Sequence, residues 1–176
     1  KMKSESRIEH TGETRANMVE RVEIRLHDTR NIVREDGSIS GIAVPYSKQS
    51  VVLRDRARPY REEFRQNALQ ISENVALYVQ HDASGLPLAR TGSKTLQFEE
   101  ESIGLRFRAV LPESRKDVME AIRRGDIGGV SIGFIVEEDE WEHRAAGAPS
   151  TRYVKRATLI ELSLVAAGAY PDALLD

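Results

Sequence analysis

The sequence predicts an α+β fold that is mainly β: a closed or nearly closed barrel of short strands covered by a few helices. Strand-like segments outnumber helical ones by roughly three to one, and turn chemistry separates them. The 176 residues suffice for one domain with a real core and are too few for two comfortable ones. Hydrophobic residues make up 40% and charged residues 31%, the balance of a soluble globular domain and not of a disordered chain.

The elements follow in order. Residues 1–17 are polar and carry no usable period, so they read as a flexible N-terminal arm or a remnant of expression, with residues 18–176 forming the single domain. Val22, Ile24 and Leu26 alternate with charged residues, the pattern of a strand with one wet face. Asp36-Gly37 within "REDGSIS" is a hairpin signal, and the strand "SISGIAVPY" follows it. "VVLRD" is a further short apolar run. From Tyr60 to Ile71 the period changes: Phe64, Ala68 and Ile71 sit at helical spacing among Arg, Glu and Gln, which predicts a short amphipathic helix. "NVALYVQHD" returns to strand character, and "SGLPLAR" turns through Gly85 and Pro87. "TLQFEEE" and "GLRFRAVL" predict an antiparallel pair around Ser102-Ile103-Gly104. "PESRKDVMEAIRRGD" is the clearest helix. Val118, Ala121 and Ile122 mark its inner face, Arg123 and Arg124 suit its C-terminal dipole, and Gly125 stops it. "GGVSIGFIVEEDEW", a polar loop "HRAAGAPST", and the runs "RYVKRATLI" and "ELSLVAAGAY" complete the chain.

Composition removes several classes of function. The net charge of −2 offers no basic field for nucleic acid. The absence of cysteine excludes disulfides, cysteine nucleophiles and thiolate metal sites. No apolar run approaches the ~18 residues of a membrane span, and no signal peptide is visible. The start at Lys1 reads as that of a processed or deliberately cut product. No P-loop, dinucleotide fingerprint or HExxH motif occurs, and four histidines scattered at 10, 27, 81 and 143 do not make a metal cluster. No cofactor and no metal are expected.

Three residues remain as candidates, each with an ordinary reading beside it. His81 follows Val75, Leu77 and Val79 at period two, so it shares their face. It is either a partly buried structural histidine or a functional one. His10 falls in the arm, and His27 and His143 read as surface residues. Ser131 has the opposite parity from Val130, Ile132 and Phe134 and is either strand filler or a nucleophile on a rigid element. Gly129-Val130-Ser131-Ile132-Gly133 matches the GxSxG elbow of lipases, but that elbow needs a strand, a sharp turn and a helix, and here the strand continues. Glu161 shares its parity with Ser163 and Val165 inside an apolar run. It is either a solvent residue on an edge strand or a carboxylate that orients a buried partner such as an imidazole.

The ordered set "YVQHD", "GDIGGVSIGF" and "LIELSLVAAGAYPDA" resembles the prohead protease family of tailed bacteriophages, serine proteases that mature procapsids. "GIAVPY", "REEFRQNAL", "GLRFRAVLP" and "YVKRATLIELSLV" also look like the family, and the likeness runs over about residues 20–174. The pattern departs at Gly168-Ala169-Tyr170, where family members often carry "PAY" or "PAN". The resemblance implies a β-barrel wrapped by helices, similar to the herpesvirus assemblin protease. It implies Ser131 as nucleophile, His81 as general base and Glu161 as the third member of a triad.

Such chemistry needs these residue types. A neutral imidazole takes the serine proton during attack and returns it to the leaving amine, while a carboxylate fixes the tautomer and stabilises the imidazolium. Asp82 ranks below Glu161 because adjacent strand residues point to opposite faces. Backbone amides near the glycine-rich approach to Ser131, or an arginine, are options for oxyanion donors, and none is assigned. The partners implied are the major capsid protein and a scaffold segment as substrates, and the chain itself through self-cleavage, in the bacterial host cytoplasm inside the assembling prohead. Nucleic acid and membrane are not expected partners. The resemblance leaves room for a homodimer, because the assemblin-like fold dimerises in herpesvirus relatives. The alternative is a non-catalytic β-barrel that binds capsid or scaffold protein.

Overall fold

Two long strands, β10 (Gly129–Glu142) and β11 (Ser150–Val165), pair antiparallel and form the spine of the molecule. The computed structural model describes residues 23–28, 32–34, 36–54, 58–145 and 147–166, with backbone alone at 23–28 and 32–33. The runs "RYVKRATLI" and "ELSLV", read separately in the sequence, are one continuous strand, because no turn residue interrupts them.

A seven-stranded sheet grows from this pair. Strand β1 (Glu23–Asp28) lies antiparallel along the free side of β10, with Leu26 opposite Ser131. On its other side β11 takes two parallel neighbours end to end: β5 (Pro59–Phe64) beside its start and β6 (Leu69–Val79) beside its finish. Short strands β4 (Leu53–Arg54) and β7 (Ala89–Arg90) extend β5 and β6. A second, four-stranded antiparallel sheet runs β2 (Ile32–Val33), β3 (Ser38–Pro45), β9 (Gly104–Val110), β8 (Leu96–Glu101). The two-residue turn Ser102-Ile103 joins β8 to β9 as expected. Gly104 is required there, since a Cβ would lie 2.3 Å from the Val44 carbonyl oxygen. Residues from both sheets form one apolar core, among them Ile39, Phe107, Leu77, Ile132 and Leu162.

The mainly β reading holds, but its helices are fewer than expected. Among the described residues there is one α-helix, α1 (Lys116–Arg124), preceded by a 3₁₀ turn at Glu113–Arg115. Val118 and Ile122 of α1 are buried, and Gly125 ends it at φ 82° in the left-handed region glycine favours. No closed ring of strands is found among the described residues.

The helix expected from Tyr60 to Ile71 is instead two strands. Tyr60, Glu62 and Phe64 alternate buried with Arg61 and Glu63 less so, and the chain turns at Asn67 (φ 59°) before β6 begins. Phe64, Ala68 and Ile71 fit a helical period by chance; Ile71 is exposed. The true period of two was hidden because one of its core-facing positions is a charged residue. Glu62 is fully buried and bonded to Arg152 of β11 (3.3 Å), a partner 90 positions away.

Candidate active site

The site begins with the alternation of β10. Val130, Ile132 and Phe134 are fully buried in the core, and the Phe134 ring meets Phe64 edge-on at 5.1 Å. Burying each such side chain contributes about 1.5–3 kcal/mol, so this face fixes the strand. Ser131 and Gly133 therefore face the other way. Strand β11 places Ser163 directly opposite Ser131, and Glu161 opposite Gly133.

A β-bulge sets the direction of Glu161. The register steps from Gly133↔Glu161 to Phe134↔Leu159, which leaves Ile160 as an extra residue in β11. Leu159 and Leu162, three positions apart, are both fully buried. Strict alternation would put them on opposite faces. The bulge lets both enter the core and turns Glu161 and Ser163 together toward Ser131.

His81 arrives from β6, but not as a strand residue. The strand ends at Val79, and Gln80 (φ 53°) and His81 (φ 59°) follow with the Asp82 N–H donating to the Val79 carbonyl at 3.0 Å. Positive φ at both central residues is the sign pattern of a type I′ turn. Held by non-glycine residues, it costs on the order of 1–2 kcal/mol per residue. Two hydrogen bonds from β11 hold it in place: Gln80 N–H to the Leu164 carbonyl (2.9 Å) and His81 N–H to Ser163 Oγ (3.2 Å). The period-two argument for His81 thus fails, because the turn and not strand parity aims the ring.

The structure brings all three candidates together. His81 Nε2 lies 2.8 Å from Ser131 Oγ, and His81 Nδ1 lies 2.8 Å from Glu161 Oε1. With Glu161 ionised, Nδ1–H donates to the carboxylate and Nε2 is left as acceptor for the serine hydroxyl. Ser163 Oγ donates to the same Glu161 oxygen at 2.7 Å. In the sequence Ser163 shares the parity of Glu161, and nothing there signals a role for it. Ser131 is fully buried, whereas the His81 and Glu161 side chains are 22% and 19% exposed, so the chain of bonds runs from the interior to the surface.

Asp82 takes no part in this chain. Its Oδ1 accepts from the Ser84 hydroxyl and backbone N–H, and these bonds hold the carboxyl below its usual range. The strand-parity reason for ranking it below Glu161 does not apply, because His81 and Asp82 lie in a turn. His143 is exposed and stacks near-parallel on Trp141 at 6.3 Å, far along β10 from the site. His10 and the side chain of His27 lie outside the described residues, as do the residue 1–17 arm and the Gly168-Ala169-Tyr170 turn.

A family profile described as the caudovirus prohead serine protease matches residues 22–176. The chain belongs to that family. No curated protein and no solved structure matches it. As a prohead serine protease it is a peptide-bond hydrolase of phage capsid maturation, and the polar chain just described is its candidate for the chemistry. No helix among the described residues of this prohead protease is long and apolar enough to cross a membrane.

Proposed function

We propose that Ser131, His81 and Glu161 form the catalytic triad of an endopeptidase that cleaves capsid- and scaffold-protein segments, and itself, during prohead maturation. The observation that carries this reading is the unbroken run Ser131 Oγ–His81–Glu161, with both bonds at 2.8 Å. As Ser131 Oγ attacks the scissile carbonyl, its proton passes to His81 Nε2. Glu161 stabilises the imidazolium that forms. The proton then goes to the leaving amine, which departs as the acyl-enzyme forms. A water deprotonated by the same imidazole hydrolyses the ester and restores Ser131. Because Ser131 is covered, a substrate reaches it only when the groups over it move. A module that merely bound capsid or scaffold protein would gain nothing from a strained turn and a buried polar chain.

The assemblin-like barrel belongs to this reading too. Strand β3 contacts both β1 and β10, which is where the two sheets would close on each other. A homodimer and a location inside the assembling prohead in the host cytoplasm complete it.

Self-cleavage offers the test. Two polar, unpatterned stretches are the segments that an active site could accept: residues 1–17, and the part of the loop expected from His143 to Thr151 that precedes β11, since Ser150 and Thr151 are buried strand residues. Intact-mass analysis of wild type and Ser131→Ala over a day should show fragments confined to the wild type, forming faster at higher concentration. Equal fragments in both samples would point to a contaminating protease, and a wild type that stays as intact as Ser131→Ala would remove self-cleavage from the proposal.

A further inference from the structure

Among the described residues, Ser163 is the one fully buried hydroxyl bonded to the proposed triad that the mechanism leaves unused. Its two bonds have a particular arrangement. It accepts from the backbone N–H of His81 at 3.2 Å and donates to Glu161 Oε1 at 2.7 Å. That same carboxylate oxygen accepts from Nδ1 of the His81 ring at 2.8 Å. Backbone N–H, hydroxyl, carboxylate and imidazole therefore make a closed circuit that begins and ends on one residue.

We propose that Ser163 is a positioning residue of the protease. It locks the Glu161 carboxylate to the left-handed turn that carries His81, so that ring and carboxylate cannot move independently. This inference rests on the triad reading above. The geometry explains why a hydroxyl is needed. His81 sits at φ 59°, a conformation that non-glycine residues leave readily unless the surroundings over-determine it. Its N–H lies in a part-buried setting where loss of an acceptor is costly. Glu161 is held by few groups: the described donors to Oε1 are Nδ1 and Ser163. Without Ser163 the described donor left on Oε1 is the ring's own Nδ1–H, so carboxylate and ring can swing together and Nε2 loses its aim at Ser131. Ser163 lies opposite Ser131 in the β10–β11 register, so its side chain needs no movement to do this. It touches no reacting atom.

The test uses the rate of inactivation by an aryl fluorophosphonate together with the proton resonance of His81 Nδ1–H in ¹⁵N-histidine-labelled protein. Ser163→Ala should slow inactivation on the order of 10–100-fold, the usual scale for a group that orients a functional ligand or base. It should also lose the Nδ1–H signal to solvent exchange. Ser163→Thr, which keeps the hydroxyl, should recover both. In a Glu161→Gln background Ser163→Ala should add little, because the partner it locks is already neutral. Wild-type rate and an intact resonance in Ser163→Ala would overturn the inference. So would an equal loss in Ser163→Thr, or a full additional loss in the Glu161→Gln background, either of which marks a merely structural serine. Ser131→Ala separates this from the reading beneath it: wild-type labelling of that variant sinks the triad itself, whereas a silent Ser131→Ala beside an unaffected Ser163→Ala sinks only the role of Ser163.

Discussion

The two halves of the β10–β11 ribbon are made by the same pair of strands and work under opposite rules. The inner half pairs Gly129–Phe134 with Leu159–Val165 and is buried almost throughout, with Ser131, Glu161 and Ser163 as its polar side chains. The outer half, from Glu137 to Glu142 against Thr151 to Arg156, is crossed by ion pairs: Arg156 with Glu137 and Glu138, Lys155 with Glu140, and Arg152 with Asp139. Most of the outer side chains are well exposed, where water screens each pair and the net gain is small. Inside, Ser131 and Ser163 are cut off from water and Glu161 is largely so, and each depends on one or two named partners. The lesson is that the number of polar contacts says little about where a change will hurt. The sparse end carries the chemistry of the proposed triad, and the exposed pairs of the crowded end are replaceable.

The largest effects are expected in the inner half. Ser131→Ala should lower cleavage by 10³-fold or more while leaving the melting temperature near that of wild type, since it removes one oxygen from a well-packed strand. His81→Ala should cost about as much, and the double variant should lose little more than either single one, because the two act as a unit. Additive losses in the kinetic comparison would mean that His81 acts through stability. Glu161→Gln should be milder than both: an amide still contacts the ring but does not balance the imidazolium charge. Full activity in that variant would place the third member elsewhere.

The outer half contains one buried ion pair among its exposed ones. Glu62 is fully buried against Arg152, whose side chain is 11% exposed. Glu62→Ala should destabilise the fold by about 1.5–3 kcal/mol in urea titration, the scale of a lost buried hydrogen bond to a charged group, because Arg152 keeps Asp139 as a partner. Lys155→Ala, which cuts an exposed pair only a few residues away, should leave the urea midpoint unchanged. If both variants behave alike, burial is not what separates the two regimes.

The smallest effect concerns pH. The hydrogen bonds of Ser84 lower the folded-state pKa of Asp82. A depressed carboxyl contributes stability that is present above its unfolded value of ~3.9 and is lost as pH falls through the folded value. The stability gap between wild type and Asp82→Asn should therefore close on acidification and leave cleavage near neutral pH untouched. A gap that widens on acidification would reverse the sign and contradict the assignment.

How much of this was legible follows from where each signal lives. The β8–β9 hairpin and α1 were readable because their patterns are local: a two-residue turn, an apolar face, a glycine stop. Strand β5 was not, because Glu62 at a core-facing position makes sense only beside Arg152. Ser131 and Glu161 could be singled out by parity and by family likeness. His81 could be singled out too, but for a wrong geometric reason, since nothing in "YVQHD" announces two consecutive left-handed residues. The bulge at Ile160 was equally invisible, because it is a property of the pairing between strands and not of either one. Ser163 stood in plain sight, yet its role depends on a backbone N–H that only the fold brings to it.

The central claim, that Ser131 is a nucleophile activated by His81, is tested most directly by covalent labelling. The protein is treated with an aryl fluorophosphonate and the modified residue is located by peptide mass mapping, in parallel with Ser131→Ala and His81→Ala. The account expects a single adduct on Ser131 in the wild type, none in Ser131→Ala, and labelling slowed by orders of magnitude in His81→Ala. An adduct on any other residue, or labelling of Ser131 at the wild-type rate without His81, would contradict it.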